Sequence, residues 1–178
     1  MAKFFIAFLS FLCLVACNKS ADSGQKHAAD SSNVPDQIIV NAKVSFVDSN
    51  YTKAILYADS GFAYSEKIPQ TVLRHNVKVE FFSAQKIGQK ISTLVADSVI
   101  VFDDTKDMIA QGKVMVNSEE NATSLSTSVL QWDNKTRKLF SSEYVKIVSP
   151  NEILEGYGFE SDEKLSYYKI FKVKGIER

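Results

Sequence analysis

The sequence predicts an all-β fold of stacked antiparallel hairpins, and three observations predict it. Over residues 94–116 apolar and other residues alternate through Leu94, Ala96, Ser98, Ile100 and Phe102. The polar run Asp103-Asp104-Thr105-Lys106-Asp107 then supplies turn chemistry, and a second alternating run carries Val114 and Val116. The same unit recurs over residues 125–148: Leu125 matches Leu94, Trp132-Asp133 matches Phe102-Asp103, and Val145-Lys146-Ile147 matches Val114-Met115-Val116. Finally, no segment beyond the amino-terminal apolar run shows a convincing helical pattern. One hairpin cannot bury its apolar face alone, so repeats of this size imply neighbours that cover one another.

Residues 1–16 read as an export signal. Lys3 supplies one positive charge, and residues 4–15 are almost wholly apolar but too short to span a bilayer comfortably. Leu14-Val15-Ala16-Cys17 closes the run and resembles a bacterial lipobox, which places cleavage before Cys17 and a diacylglycerol on its thiol. Cys13 leaves with the signal and Cys17 carries lipid, so disulfides, thiolate metal sites and cysteine nucleophiles are excluded. Loss of Lys3 tips the balance of 21 basic and 21 acidic residues slightly to the acidic side. No basic stripe is present for nucleic acid. Residues 17–36 form the lipidated cysteine and a polar, aperiodic tether, in which His27 is a solvated linker histidine. Asn18 is not the aspartate that enteric bacteria use for inner-membrane retention, so sorting alone leaves the membrane open.

Residues 37–178 are one domain's worth of chain. A first strand over 38–47 alternates Val40, Ala42, Val44 and Phe46 against Asn41, Lys43 and Ser45. Residues 53–58 and 62–66 read as a pair turning at Asp59-Ser60-Gly61, a looser copy of the repeated hairpin. Residues 71–83 place Val77, Val79 and Phe81 inward with Lys78 and Glu80 outward. A polar break around Gly88 leads into the two copied hairpins, which end at Ser149-Pro150-Asn151. Residues 153–159 and 165–173 make the last pair, around Glu160-Ser161-Asp162-Glu163. Pro35, Pro69 and Pro150 all fall between strands.

Catalytic chemistry is not in view. No serine sits in a Gly-x-Ser-x-Gly turn, and His75, the one histidine of the folded part, reads as a structural or rim residue that alternates with Val77. The carboxylates Asp103, Asp104 and Asp107, and Glu160, Asp162 and Glu163, fall at turns and read as solvated; the calcium-loop pattern is absent. Neither an enzyme, a metal site nor a cofactor is expected. What stands out is aromatic and aliphatic surface: Phe46, Phe62, Phe81, Phe82, Phe102, Trp132, Phe140 and Phe171 among others. Stacked hairpins that do not close into a barrel leave either a filled core or a trough between two walls, and a trough of Val, Ile and Phe suits acyl chains.

The repeated Leu-x-Ala-Asp-x-x-x-x-Phe-Asp and Leu-x-Thr-x-x-Leu-x-Trp-Asp hairpins, each followed by a Val-x-Val-like strand, resemble the OstA-type lipopolysaccharide transport proteins. With an amino-terminal anchor, one short domain and the carboxy-terminal Gly156-Tyr157-Gly158 element, the chain is similar to the LptC family within that group, over roughly residues 40–175. The resemblance implies an incomplete antiparallel β-jellyroll, the twisted boat, whose V-shaped sheet holds lipid A acyl chains. It also implies partners: lipopolysaccharide, the periplasmic domains of an ABC transporter of the LptB/F/G type, and an LptA-type bridge protein. The implied location is the periplasmic face of the inner membrane, lipid-anchored at Cys17 where better-known members use a transmembrane helix.

Parity along the strands then names the expected groove as Val44, Phe46, Val79, Phe81, Ile100, Phe102, Val114, Val116, Trp132, Val145 and Ile147. Tyr167, Phe171 and Val173 on the last strand are the expected partner edge, with Lys169, Lys172 and Lys174 discouraging indiscriminate pairing. Two other readings stand beside this one: a lipidated bridge-type protein, and a filled β-sandwich lipoprotein that scaffolds the envelope. The anchor is tested first. Cys17→Ala leaves an uncut or soluble form without acyl mass, checked by mass spectrometry of the membrane fraction; a diacylated species recovered from the variant overturns the lipobox.

Overall fold

The computed structural model describes residues 34–177, so the signal, Cys17, His27 and most of the tether lie outside it. Nine strands form one sheet: β1 Gln37–Asp48, β2 Tyr51–Tyr64, β3 Gln70–Phe82, β4 Lys90–Phe102, β5 Met108–Ser118, β6 Ser124–Asp133, β7 Lys138–Val148, β8 Ile153–Asp162 and β9 Tyr168–Glu177. Each strand pairs antiparallel with its neighbour in sequence, so the sheet order is the chain order and β1 and β9 are free edges. This is the open, incomplete antiparallel jellyroll that the hairpin repeats imply, with no helix among the described residues.

The two copied hairpins turn alike. In the β4–β5 turn Lys106 N donates to Phe102 O at 2.8 Å, and in the β6–β7 turn Arg137 N donates to Asp133 O at 2.8 Å. Lys106 and Arg137 hold matching left-handed conformations, φ 64° and 57°. Asp133 Oδ1 fastens its turn by accepting from Thr136 N at 2.6 Å and Thr136 Oγ1 at 2.9 Å.

A line of irregularities crosses the sheet near mid-strand. Register shifts occur between Tyr57 and Ser60 of β2, Arg74 and Val77 of β3, Val95 and Ser98 of β4, Gln111 and Val114 of β5, Thr127 and Gln131 of β6, and Ser141 and Tyr144 of β7. His75 and Asn76, Gly112 and Gly158 all take positive φ along this line. An extra residue in one strand of a pair bends that strand and exchanges its faces. A row of such bulges therefore acts as a crease. On β4, Leu94 and Ala96 are buried before it, and Val99 and Val101 after it. The sheet folds along the crease, so the halves of the strands on one side face the halves on the other. Phe46 and Phe81 from one wall thus meet Trp132 from the other.

Three expectations are corrected here. Asp59-Ser60-Gly61 is not a turn; β2 runs through it, with Ser60 opposite Val40 and Gly61 opposite Ile39. Its polar and glycine residues serve the crease, where Asp59 Oδ2 accepts from Asn76 Nδ2 across the strand pair at 2.7 Å. His75 does not follow Val77 inward; the bulge turns it to solvent. The last strand begins at Tyr168, because Leu165 is fully buried in the turn before it, at φ 55°.

Gly112 marks the crease most sharply. It lies at φ +95°, and a Cβ there would overlap the Asp97 side chain, whose Oδ2 accepts from Lys113 N at 3.2 Å. Gly112→Ala therefore costs stability, about 1–3 kcal/mol, read as a lower urea midpoint with an unchanged slope. An unchanged midpoint means the crease tolerates a side chain at this point.

Candidate functional site

The concave face of the creased sheet is the candidate site. Val79, Phe81, Val114, Val116, Trp132, Val145 and Ile147 are all buried on it, with Phe46 close behind and Val44 half-buried. Ile100 and Phe102 do not join them. Both lie past the crease of β4, half-buried on the opposite face, and Val101 takes the inward place. The reason is the register shift between Val95 and Ser98, which straight alternation from Leu94 carries past. Parity also misses Val99, Met108, Leu130, Leu139 and Phe159, which line the second wall. The repeat did hold a signal for them: in the copied hairpins Val101, not Phe102, is the positional counterpart of Trp132.

The two walls are in contact. The Phe46 and Trp132 rings stack with centroids 5.9 Å apart and planes within 2°, and Phe81 tilts onto Trp132 at 5.6 Å. Between Val79 and Leu94 on one wall and Leu130, Trp132 and Leu139 on the other, a void of about 10 Å³ is left. That is at the lower bound of what one water needs, and far short of an acyl chain. In this conformation the apolar interior is filled by its own side chains.

The rim of the interior is polar and built from turns. Arg137, from the β6–β7 turn, pairs with Glu163 of the β8–β9 turn. It also donates through Nη2 to Phe82 O at 2.6 Å and lies over the Tyr51 ring at 5.8 Å. Glu163 Oε1 accepts from Trp132 Nε1 at 2.6 Å. Lys53 Nζ reaches Asn134 O and Asn134 Oδ1, each at 3.1 Å, and Asp48 at 3.3 Å. Further along, Asn121 Nδ2 donates to Lys164 O at 3.3 Å and Leu165 O at 3.2 Å. These contacts join the lip of one wall to the lip of the other.

Glu163 overturns the reading of the turn acids as solvated. Its side chain is 4% exposed. Burial pushes its carboxyl above the usual glutamate range, and Arg137, Trp132 and Lys53 oppose that push. Other turn acids are structural too: Asp107 Oδ1 accepts from Asn134 N at 2.9 Å and Asp162 Oδ1 from Ser166 N at 2.8 Å. No cluster of His, Cys, Asp or Glu among the described residues is arranged to hold a metal ion.

The expected partner edge is exposed. Tyr167 (84% exposed) lies in the turn before β9, Phe171 covers Gly158 on the outer face, and Val173 stands opposite Gly156. Tyr168 and Ile170 are the β9 residues that pack on the core. At the other free edge Ile38 and Val40 are exposed.

Arg137→Met removes the counter-charge of a buried carboxylate and costs about 3–5 kcal/mol at neutral pH. The sign with pH follows from Glu163. An acid whose folded-state value is raised weakens the fold when ionised, and that penalty disappears below its unfolded-state value. Without Arg137 the burial acts unopposed, so the deficit of the variant shrinks as pH falls through the raised Glu163 value toward the ordinary glutamate range. Urea midpoints of both proteins at neutral and mildly acidic pH check this; a deficit that grows on acidification overturns it.

Comparison with known proteins gives two findings. The model of a family described as lipopolysaccharide-assembly, LptC-related, matches residues 4–176. The fold is similar to the crystal structure of LptH, the LptA-homologous periplasmic component of the conserved lipopolysaccharide transport device from Pseudomonas aeruginosa. That match has a TM-score of 0.52 and 15% identity, and covers 67% of this chain and 82% of the other. No curated protein matches the sequence.

Proposed function

The chain belongs to the LptC-related family of lipopolysaccharide-assembly proteins, and from that premise we propose that its apolar interior shelters the acyl chains of lipopolysaccharide in transit. It is a lipopolysaccharide-transport component and not an enzyme. The observation that carries the acyl reading is the concave face itself: two walls of aliphatic and aromatic side chains, with no backbone hydrogen bond between them among the described residues. At about 0.8 kcal/mol per methylene, a multi-acyl lipid cannot cross the periplasm unshielded. An apolar wall lowers that barrier without directional bonds, so the lipid can move on.

Attachment and partners complete the proposal. A lipidated Cys17 holds the domain at the periplasmic face of the inner membrane, and residues 18–36 give it reach. The domain receives lipid from the periplasmic domains of the ABC transporter and passes it to a bridge protein. The free β9 edge, with Phe171 and Val173 exposed on it, is the docking strand for that partner. The filled interior favours a second reading, a scaffolding β-sandwich with no cargo.

Photo-crosslinking separates the two. Probes at Phe81, Val101 and Trp132 capture lipopolysaccharide, and probes at Lys78, Glu80 and Ile100 do not. Capture at neither set supports the scaffold, and equal capture at both removes the concave face as the binding surface.

A further inference from the structure

Every contact that closes the interior between its two lips is made by a side chain. The backbone hydrogen bonds outside the strands join neighbours or close turns: Phe102 to Asp107, Ser118 to Thr123, Arg137 to Asp133, Leu165 to Asp162. None spans from one wall to the other among the described residues. The lips therefore part without unzipping the sheet, and the crease supplies the bend.

We propose that lipid is admitted by parting these lips, and that the Arg137–Glu163 pair with Trp132 is the latch that holds them closed. The proposal rests on the acyl-shelter reading above. Arg137 is the centre of it. It ties the β6–β7 turn to Phe82 at the end of β3, to Tyr51 at the start of β2, and to Glu163 in the β8–β9 turn. Trp132 couples this polar rim to the apolar interior. One end of its ring system stacks on Phe46 and Phe81, and its Nε1–H is held by Glu163.

The coupling has a mechanical consequence. An acyl chain that enters must take space now filled by Trp132, because the interior has only about 10 Å³ to spare at that point. Moving the indole breaks its bond to Glu163, and Glu163 is then held by Arg137 alone among its hydrogen-bond partners. Parting the lips returns both charges to water, which offsets the loss of their attraction. A buried ion pair suits a latch for that reason. It is directional and specific when closed, yet its separation is solvated, whereas an all-apolar seam is penalised for every part of its surface exposed on opening.

Trp132 is the single tryptophan of the chain, so it reports on its own latch. The purified full chain is mixed with bromine-labelled stearate, and quenching of tryptophan emission is followed by stopped flow. Glu163→Gln keeps the volume and removes the charge. It is expected to admit the probe about tenfold faster than wild type, the equivalent of one charge-assisted bond weakened. Asn134→Ala, which removes one acceptor of Lys53 at the same seam, accelerates it less. Lys146→Ala, which breaks an exposed pair with Glu155 on the outer face, leaves the rate unchanged. Arg137→Met with Glu163→Leu, an apolar seam, admits the probe no faster than wild type. Should Glu163→Gln fail to fold by circular dichroism, Asn134→Ala against Lys146→Ala decides alone. Quenching at one rate in all variants overturns the latch and leaves the shelter standing. Absence of quenching in wild type and every variant overturns the shelter, and the latch with it.

Discussion

Two faces of one sheet, exchanged at mid-strand, govern everything else in this fold. A sheet that packs only against itself has no second layer to cover it, so one half of each strand must be turned over to face the other half. Alternation makes that impossible in a regular strand, because side chains at even spacing keep to one face. The bulges supply the missing residue. Gly112 and Gly158 take the left-handed positions where the backbone needs them, while His75 and Asn76 accept the same conformation in an exposed stretch. Asp97 under Gly112 and Asp59 against Asn76 then hold the bend in place with side-chain hydrogen bonds.

This arrangement divides the stabilising interactions into two kinds. Along the sheet, strand neighbours are joined by continuous ladders, which are cooperative and local in sequence. Across the interior, only apolar packing and a rim of side-chain bonds operate. The packing is dense: Phe81, Phe159, Leu125, Leu139 and Leu165 have essentially no exposed surface. The same concave face can therefore serve as a core when empty and as a binding surface when its lips part. The filled interior and the lipid-transport family are compatible on that basis, since a member that closes on itself between cargoes does not expose two apolar walls to water or to other chains.

Much of this was legible in the sequence. The alternating runs gave the strands, the Asp-rich and Asn-Lys-Thr segments gave the β4–β5 and β6–β7 turns, and the repeat linked Lys106 to Arg137 before any coordinates did. What was not legible was phase. Asp59-Ser60-Gly61 has the composition of a reversal, and only its pairing with β1 reveals a continuous strand. Ile100 and Phe102 continue the alternation from Leu94 without any sign of the bulge between Val95 and Ser98. A bulge needs no special residue on β4; its glycine lies on the facing strand, at Gly112. Local pattern could not carry that information, because the register shift is a property of the pair of strands.

Glu163 shows the same limit for charge. In sequence it ends a run of acids in a turn, where solvation is the ordinary state. Its burial depends on Arg137 and Trp132, more than twenty residues earlier, reaching the same point in space. Neither the acid nor the arginine is unusual for a turn. What distinguishes them is that both turns are lips, so the strands that end there point their last side chains across the mouth of the interior. A carboxylate at that point would be costly alone, and an arginine would have no reason to fold back over Tyr51. Together with the indole N–H they make a polar closure on an apolar chamber. Selection for stability alone would be met by an apolar seam of the same volume. The presence of a separable ion pair there is what connects the architecture of the lips to a protein whose family moves lipid.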